Sequence, residues 1–171
     1  MNGTSCTADG VAFDGVDDHV ALDAFEFGGA LRMEVLVKFE RFNGYSRVLD
    51  FTNAGGDDRV VLSNTEEGAP DFNWAVRRGS SQKFVRDGAW GQHVVATASG
   101  SSMKVFKDGV LTGSRDNGHE PKVLTRAYHS LGGNVFGNAN YFEGSIAFLR
   151  VWHGVLGEEE VEALHLERDI R

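Results

Sequence analysis

The stretch LRMEVLVKFE, residues 31–40, alternates apolar and polar side chains with a period of two. That alternation limits the folds open to this chain more than any other feature. Leu31, Met33, Val35, Val37 and Phe39 fall on one face; Arg32, Glu34, Leu36, Lys38 and Glu40 fall on the other, with Leu36 the apolar exception. Such a strand packs one face on a core and turns the other to water. GQHVVATAS (91–99) is apolar on both faces and predicts a strand in the middle of a sheet. SSMKVFKDGVLTGS (101–114) then folds back on itself. Asp108-Gly109 accepts the positive φ values of a two-residue turn, so 102–107 pairs with 110–114.

The same patterning predicts strands at 11–16, 18–22, 46–53, 58–64, 72–78, 82–86, 126–133 and 142–152, separated by turn clusters such as NAGGDD, TEEGAPD and GNAN. Twelve Phe and 22 Gly against two Pro fit tight turns between aromatic-rich strands. Many short strands with no helices between them predict an all-β fold of two antiparallel sheets packed face to face. GEEEVEALHLER (157–168) alone has helical spacing, with Val161, Leu164 and His165 on one stripe. Glu158, Glu159 and Glu160 there meet the positive end of the helix dipole. A single domain is expected over 11–168, preceded by a frayed end over 1–10.

Charge and cysteine content narrow the function. Seventeen Lys and Arg against 25 Asp and Glu give a net charge of −8, which repels nucleic acid and anionic membrane surfaces. No apolar run is long enough for membrane insertion, and MNGTSCTADG has neither the basic nor the apolar region of a signal peptide. Cys6 is the one cysteine, so no intrachain disulfide can form.

Four segments, in order, match one pattern. AFDGVDDHVAL (12–22) resembles the F-D-G-x-D-D-Y-V entry segment of laminin-G-like, concanavalin A-like domains, and MEVLVKF (33–39) the strand after it. AWGQHVVATASGSSMKVFKDGVLTGS (89–114) resembles that family's W-x-H-V-A-x-T … L-Y-V-N-G-V hairpin, and FEGSIAFLRVWHGVLGEEEVEAL (142–164) its closing segment. Leu36 stands where the family carries Trp, His19 where it carries Tyr, and Ala147-Phe148 where it carries an acidic pair. The resemblance implies a two-sheet jelly-roll sandwich with a short C-terminal helix. It also implies a secreted or cell-surface module that binds an oligosaccharide or another protein, in several relatives with a calcium ion.

The same fold hosts lectins, hydrolases and adhesion modules, so the site must decide. The E-x-D-x-x-E strand of the related glucanases is absent, as are lyase-like Arg-x-Glu-x-Arg and Gln-x-His strands. Glu34 with a distant histidine is the remaining enzymatic pairing, and a non-catalytic role is expected. Asp14, Asp17 and Asp18 offer hard oxygen ligands for a structural calcium; the same residues also build turns by bonding their own backbone. Asn53, Asp57 and Asp58 form a second acidic turn. The six histidines have no zinc spacing, and His93 is expected as a satisfied core residue.

A sugar needs an aromatic face and planar amides or guanidinium groups to fork onto its hydroxyls. Trp74 and Trp152 fall in core phase, and Trp90, which opens the hairpin that resembles the family's, is expected to plug the sandwich. The opposite face of FNWAVRR presents Asn73, Ala75 and Arg77, and the loops add Tyr45, Asn134, Asn138, Asn140 and Tyr141. Arg77 and Arg78 either attract a sulfated or uronic glycan or pair with Glu66 and Glu67. A non-catalytic carbohydrate-binding module is therefore the first expectation, and a protein–protein adhesion module the second.

Overall fold

The computed structural model describes residues 2–53, 58–134 and 140–169. One antiparallel sheet runs β1 (Ser5–Thr7), β2 (Gly10–Asp14), β15 (Glu143–His153), β5 (Leu31–Arg41), β10 (His93–Ser99), β11 (Ser102–Lys107) and β12 (Val110–Arg115) from edge to edge. The second runs β3 (Val20–Leu22), β14 (Tyr128–Leu131), β6 (Arg47–Thr52), β7 (Val60–Asn64), β8 (Phe72–Arg78) and β9 (Ser81–Asp87). β4 (Phe25–Phe27) and β13 (Leu124–Arg126) form a separate two-stranded ribbon, and α1 (Glu158–Asp169) closes the chain. This is the two-sheet jelly-roll sandwich that the alternation and the resemblance imply. No helix among the described residues is long and apolar enough to cross a membrane.

The core lies between the sheets because the inward sets of each alternate strand are apolar. Leu31, Met33, Val35 and Val37 of β5 and Val94, Ala96 and Ala98 of β10 meet Leu49, Phe51, Leu62, Phe72, Trp74 and Val76 of the other sheet. Trp74 is fully buried, and its indole N–H reaches across to the carbonyl of Thr97 at 3.3 Å. Trp90 packs half-buried against Phe39 and Phe72. Asp108 (φ 49°) and Gly109 (φ 84°) both take the left-handed conformation, and the hairpin pairs Lys107 with Val110. Gly at the second turn position adopts that φ without a Cβ clash.

Three expectations need correction. Residues 5–7 are no frayed end: they pair with Gly10–Ala12, and Thr7 Oγ1 bonds the Gly10 carbonyl and the Asp9 N–H across the turn. Cys6 is exposed there. Trp152 is not in the core but 46% exposed, with the Arg32 guanidinium 5.1 Å from its ring. The cause is a bulge in β15: Ile146 opposes Val37 while Phe148 opposes Leu36, leaving Ala147 over. The extra residue inverts the phase, so Leu149 and Val151 pack inward and Trp152 turns out.

The third correction concerns Glu34, which does not face water. It is 2% exposed, because α1 lies on the outer face of the seven-stranded sheet. Val161 of α1 makes a second apolar cluster with Val95 and Phe106, flanked by Leu111, Leu156 and Leu164. The Glu160 carboxylate accepts the Gly157 N–H at 2.7 Å, holding the helix start. Among the described residues, no helix lies over the outer face of the six-stranded sheet.

Candidate functional site

Register fixes what the outer face of the six-stranded sheet presents. Directly paired residues of antiparallel strands point to the same side. Ala21, Ser130, Asp50, Val61, Ala75 and Phe84 therefore form one row across β3, β14, β6, β7, β8 and β9. Arg47, Ser63, Asn73 and Arg86 form the neighbouring row, and Arg59 lies beside Arg77 and Gln82 on the other flank. Asp50, Ser63, Val61, Ala75, Asn73 and Ser130 are all buried, though they face away from the core. They form a recessed floor of small and polar groups, rimmed by arginines.

The electrostatic centre is Asp50. Arg59 grips it as a fork, Nε donating to Oδ1 at 2.5 Å and Nη2 to Oδ2. Arg47 Nε lies 4.0 Å from the same Oδ2. Two guanidinium groups thus share one carboxylate. Burial, and next the neighbouring Arg59 charge, push the Arg47 pKa down. Arg47 Nε is buried without a hydrogen-bond partner, and so is Asn73 Oδ1, whose Nδ2 donates to Ser63 Oγ at 3.1 Å. Arg59 Nη2 also reaches Asn134 Oδ1 at 3.3 Å.

The candidate sugar contacts divide between two places. Asn73 and Arg77 stand on the sheet face as the alternation predicts, and Asn134 touches Arg59. Arg77 Nε donates to the Gly79 carbonyl at 2.8 Å, and Glu67 pairs with Arg41. Asn140 and Tyr141 line a separate rim cavity of about 430 Å³ with Asp14, Asn43, Glu67 and Glu143. The Asn140 carbonyl accepts the Arg47 N–H at 3.0 Å, so cavity and recess adjoin. Tyr45 is 58% exposed at φ 57°, two residues from Arg47. Asn138 lies outside the described residues, as does Asp57 of the second acidic turn. The flanking Asp58 pairs with Lys122, and Asn53 Oδ1 accepts the Ala127 N–H.

The ligand atoms of Asp14, Asp17 and Asp18 lie within 4.8 Å of one another. Asp14 Oδ1 accepts the N–H groups of Val16, Asp17 and Asp18, and Asp18 Oδ2 accepts that of Asp14. The Val16 N–H above all holds the Asp14 carboxyl below its ordinary pKa. These bonds build the turn and leave each of the two carboxylates a second oxygen, so the donor set fits a hard cation.

Glu34 does meet a histidine. His93 Nε2 donates to Glu34 Oε1 at 3.1 Å, Arg150 lies 3.4 Å from the same oxygen, and His165 Nδ1 of α1 stands 3.3 Å from His93 Nδ1. Both members of the pair are buried beneath α1, so they tie the helix to the sheet. Sequence reasoning missed Arg47, Asp50 and Arg59. Alternation through β6 and β7 places Asp50 and Arg59 outward, but only the register shift between Arg47 and Leu49 brings Arg47 beside them.

A laminin-G-type family model, described as the concanavalin A-like lectin/glucanases superfamily, matches residues 14–162. No curated protein matches the sequence. Among solved structures, domain 4 of AbnA, a GH43 extracellular arabinanase from Geobacillus stearothermophilus in complex with arabinotriose, superposes with a TM-score of 0.68 at 15% identity, over 95% of this chain and 80% of that one. The CBM40 of Ruminococcus gnavus IT-sialidase bound to alpha2,3 sialyllactose gives 0.67 at 17%, over 85% and 98%. Domains LG4-5 of the mouse laminin alpha1 chain give 0.63 at 16%, over 82% and 40%. At such identities the likeness is one of fold.

Proposed function

The chain belongs to the concanavalin A-like lectin/glucanases superfamily, and from that premise we propose that it is a non-catalytic carbohydrate-binding module of a secreted or cell-surface protein. One observation carries the reading: α1 covers the outer face of one sheet around Val95 and Phe106, leaving a cavity of about 600 Å³ beside Leu36, Lys38 and Ala147, while the other sheet keeps a polar outer face of buried small groups rimmed by arginines. Forked guanidinium groups and a planar amide are what sugar hydroxyls and ring substituents take as partners. Two structural neighbours of the same fold, the arabinanase domain and the CBM40, were solved with oligosaccharides bound.

Support for a non-catalytic role comes from the acid groups. The Glu34–His93 pair is buried beside α1, where Glu34 meets only a small cavity of about 130 Å³ shared with Arg150 and Leu164. In the rim cavity Asp14 has a lowered pKa, the reverse of what a general acid needs near neutral pH. Glu67 is engaged by Arg41 and by the Gly44 N–H at 2.5 Å. Titration against an oligosaccharide panel, with chromatography of the same mixtures, tests the proposal. Binding without products is the expected result; products, or no binding across the panel, would overturn it. We propose calcium at Asp14, Asp17 and Asp18 as a structural accessory, with a Tm that rises in excess calcium over chelator; an unchanged Tm would remove it.

A further inference from the structure

The outer face of the six-stranded sheet is cationic, in a chain whose net charge is −8. Arg47, Arg59, Arg77 and Arg86 point outward, and among the described residues of these rows Asp50 is the one carboxylate. Asp50 can neutralise one guanidinium, and Arg59 takes it with both donors of its fork. Arg47 keeps only a 4.0 Å approach to the same carboxylate and an Nε with no hydrogen-bond partner. Across Ser63 in the same row, Asn73 holds a buried Oδ1 that lacks a donor.

Each of these groups specifies its complement. A half-buried guanidinium beside a second one calls for an anion, because the shared carboxylate leaves the pair with excess positive charge. An unpaired buried carbonyl oxygen calls for an O–H or N–H donor. Arg47 and Asn73 stand two strand spacings apart, roughly 10 Å between backbones, which is the scale of one or two sugar rings. Free sulfate has no donor for the second demand, and free phosphate, though it carries an O–H near neutral pH, is too small to span both groups. A neutral sugar meets the second and not the first.

We propose that this recess selects an acidic sugar, its carboxylate or sulfate seated at Arg47 and Arg59 and a hydroxyl donated to Asn73 Oδ1. The inference rests on the carbohydrate-binding reading and narrows its ligand class. Asp50 acts as a positioning residue, fixing the Arg59 fork. Arg86 and Arg115 both lie over the Phe84 ring, at 4.8 and 5.1 Å, so Phe84 is an arginine support, not an open stacking platform.

The test uses matched pairs by isothermal titration at low and high salt: 3′-sialyllactose against lactose for a carboxylate, and galactose 6-sulfate against galactose for a sulfate ester. The acidic member of at least one pair is expected to bind about tenfold or more tighter, with the advantage shrinking in high salt. Arg47→Gln is expected to remove that advantage. Asn73→Ala, which leaves every charge in place, should weaken binding severalfold without changing the salt dependence. Equal binding of acidic and neutral members would overturn the acidic-sugar inference and leave the carbohydrate-binding reading standing. Binding of no sugar across a broad neutral and acidic panel would sink that reading itself. Acidic preference that survives Arg47→Gln, in a variant with unchanged circular dichroism, would overturn the placement.

Discussion

His129 shows how one residue can set a pH response. Its ring is 2% exposed, stacks on Phe25 at 4.2 Å between centroids, and packs edge-on against Phe51. Neither ring nitrogen has a hydrogen-bond partner. Burial above all pushes its pKa below the ordinary 6.5; the nearby Arg126 backbone opposes the shift and the Arg126 charge adds to it. The folded state therefore prefers the neutral ring, and the unfolded chain binds the extra proton first as pH falls below about 6.5. Stability is expected to be full above that value and to decline as pH drops toward the folded-state pKa. His129→Phe should flatten the decline, read as Tm between about pH 7 and pH 5; an unchanged slope would refute the assignment. Asp50 is a second residue with a sharp prediction. Arg59→Leu strips its principal partner from a fully buried carboxylate, and should cost about 3–5 kcal/mol in urea denaturation. Asn73 and Arg77 were legible in the sequence because β8 alternates cleanly. Arg47 was not, since a register shift and not simple alternation sets its direction, and His129 was not, since its surroundings come from strands distant in sequence.

At the scale of elements, alternation told most strands apart and failed where a strand changes phase. β5, β10, β11 and β12 lie where the pattern placed them. β15 misled because one extra residue at Ala147 is invisible to a period-two count, and it moved Trp152 from core to surface. β1, β4 and most of β13 were missed because three-residue strands hold too few positions to show a period. The stripe of α1 was legible, but its landing place was not, so Glu34 read as a water-facing residue. In the folded chain burial pushes the Glu34 carboxyl up, and the His93 hydrogen bond with the Arg150 charge more than offsets this, holding the pKa below 4.5. Its contribution is thus present above about pH 4.5 and lost as pH falls through the lower folded value. Glu34→Gln should show a shallower acid loss of stability in that window, measured by denaturant titration.

The molecule as a whole is asymmetric in what covers its two sheets. Each sandwich sheet buries one face against the other, so function must use an outer face, an edge or a rim. The seven-stranded sheet gives much of its outer face to α1 through Val95, Phe106 and Val161. The six-stranded sheet gathers the arginine-rimmed recess, and the acidic rim cavity adjoins it through Asn140 and Arg47. If the division is functional, damage to α1 should lower stability without touching ligand affinity. Val161 is fully buried, and Val161→Asp places a charge in the small cluster beneath the helix. That change should cost roughly 2–4 kcal/mol from lost apolar burial and a poorly solvated carboxylate. Affinity for whichever sugar the wild-type chain binds should stay within about twofold, because no strand of the recess contacts α1 in the second cluster. Calorimetric titration of Val161→Asp below its own melting temperature decides the matter. A large loss of affinity in a variant that keeps its β-sheet circular dichroism would move the binding face to the seven-stranded sheet, toward Trp152 and Arg32.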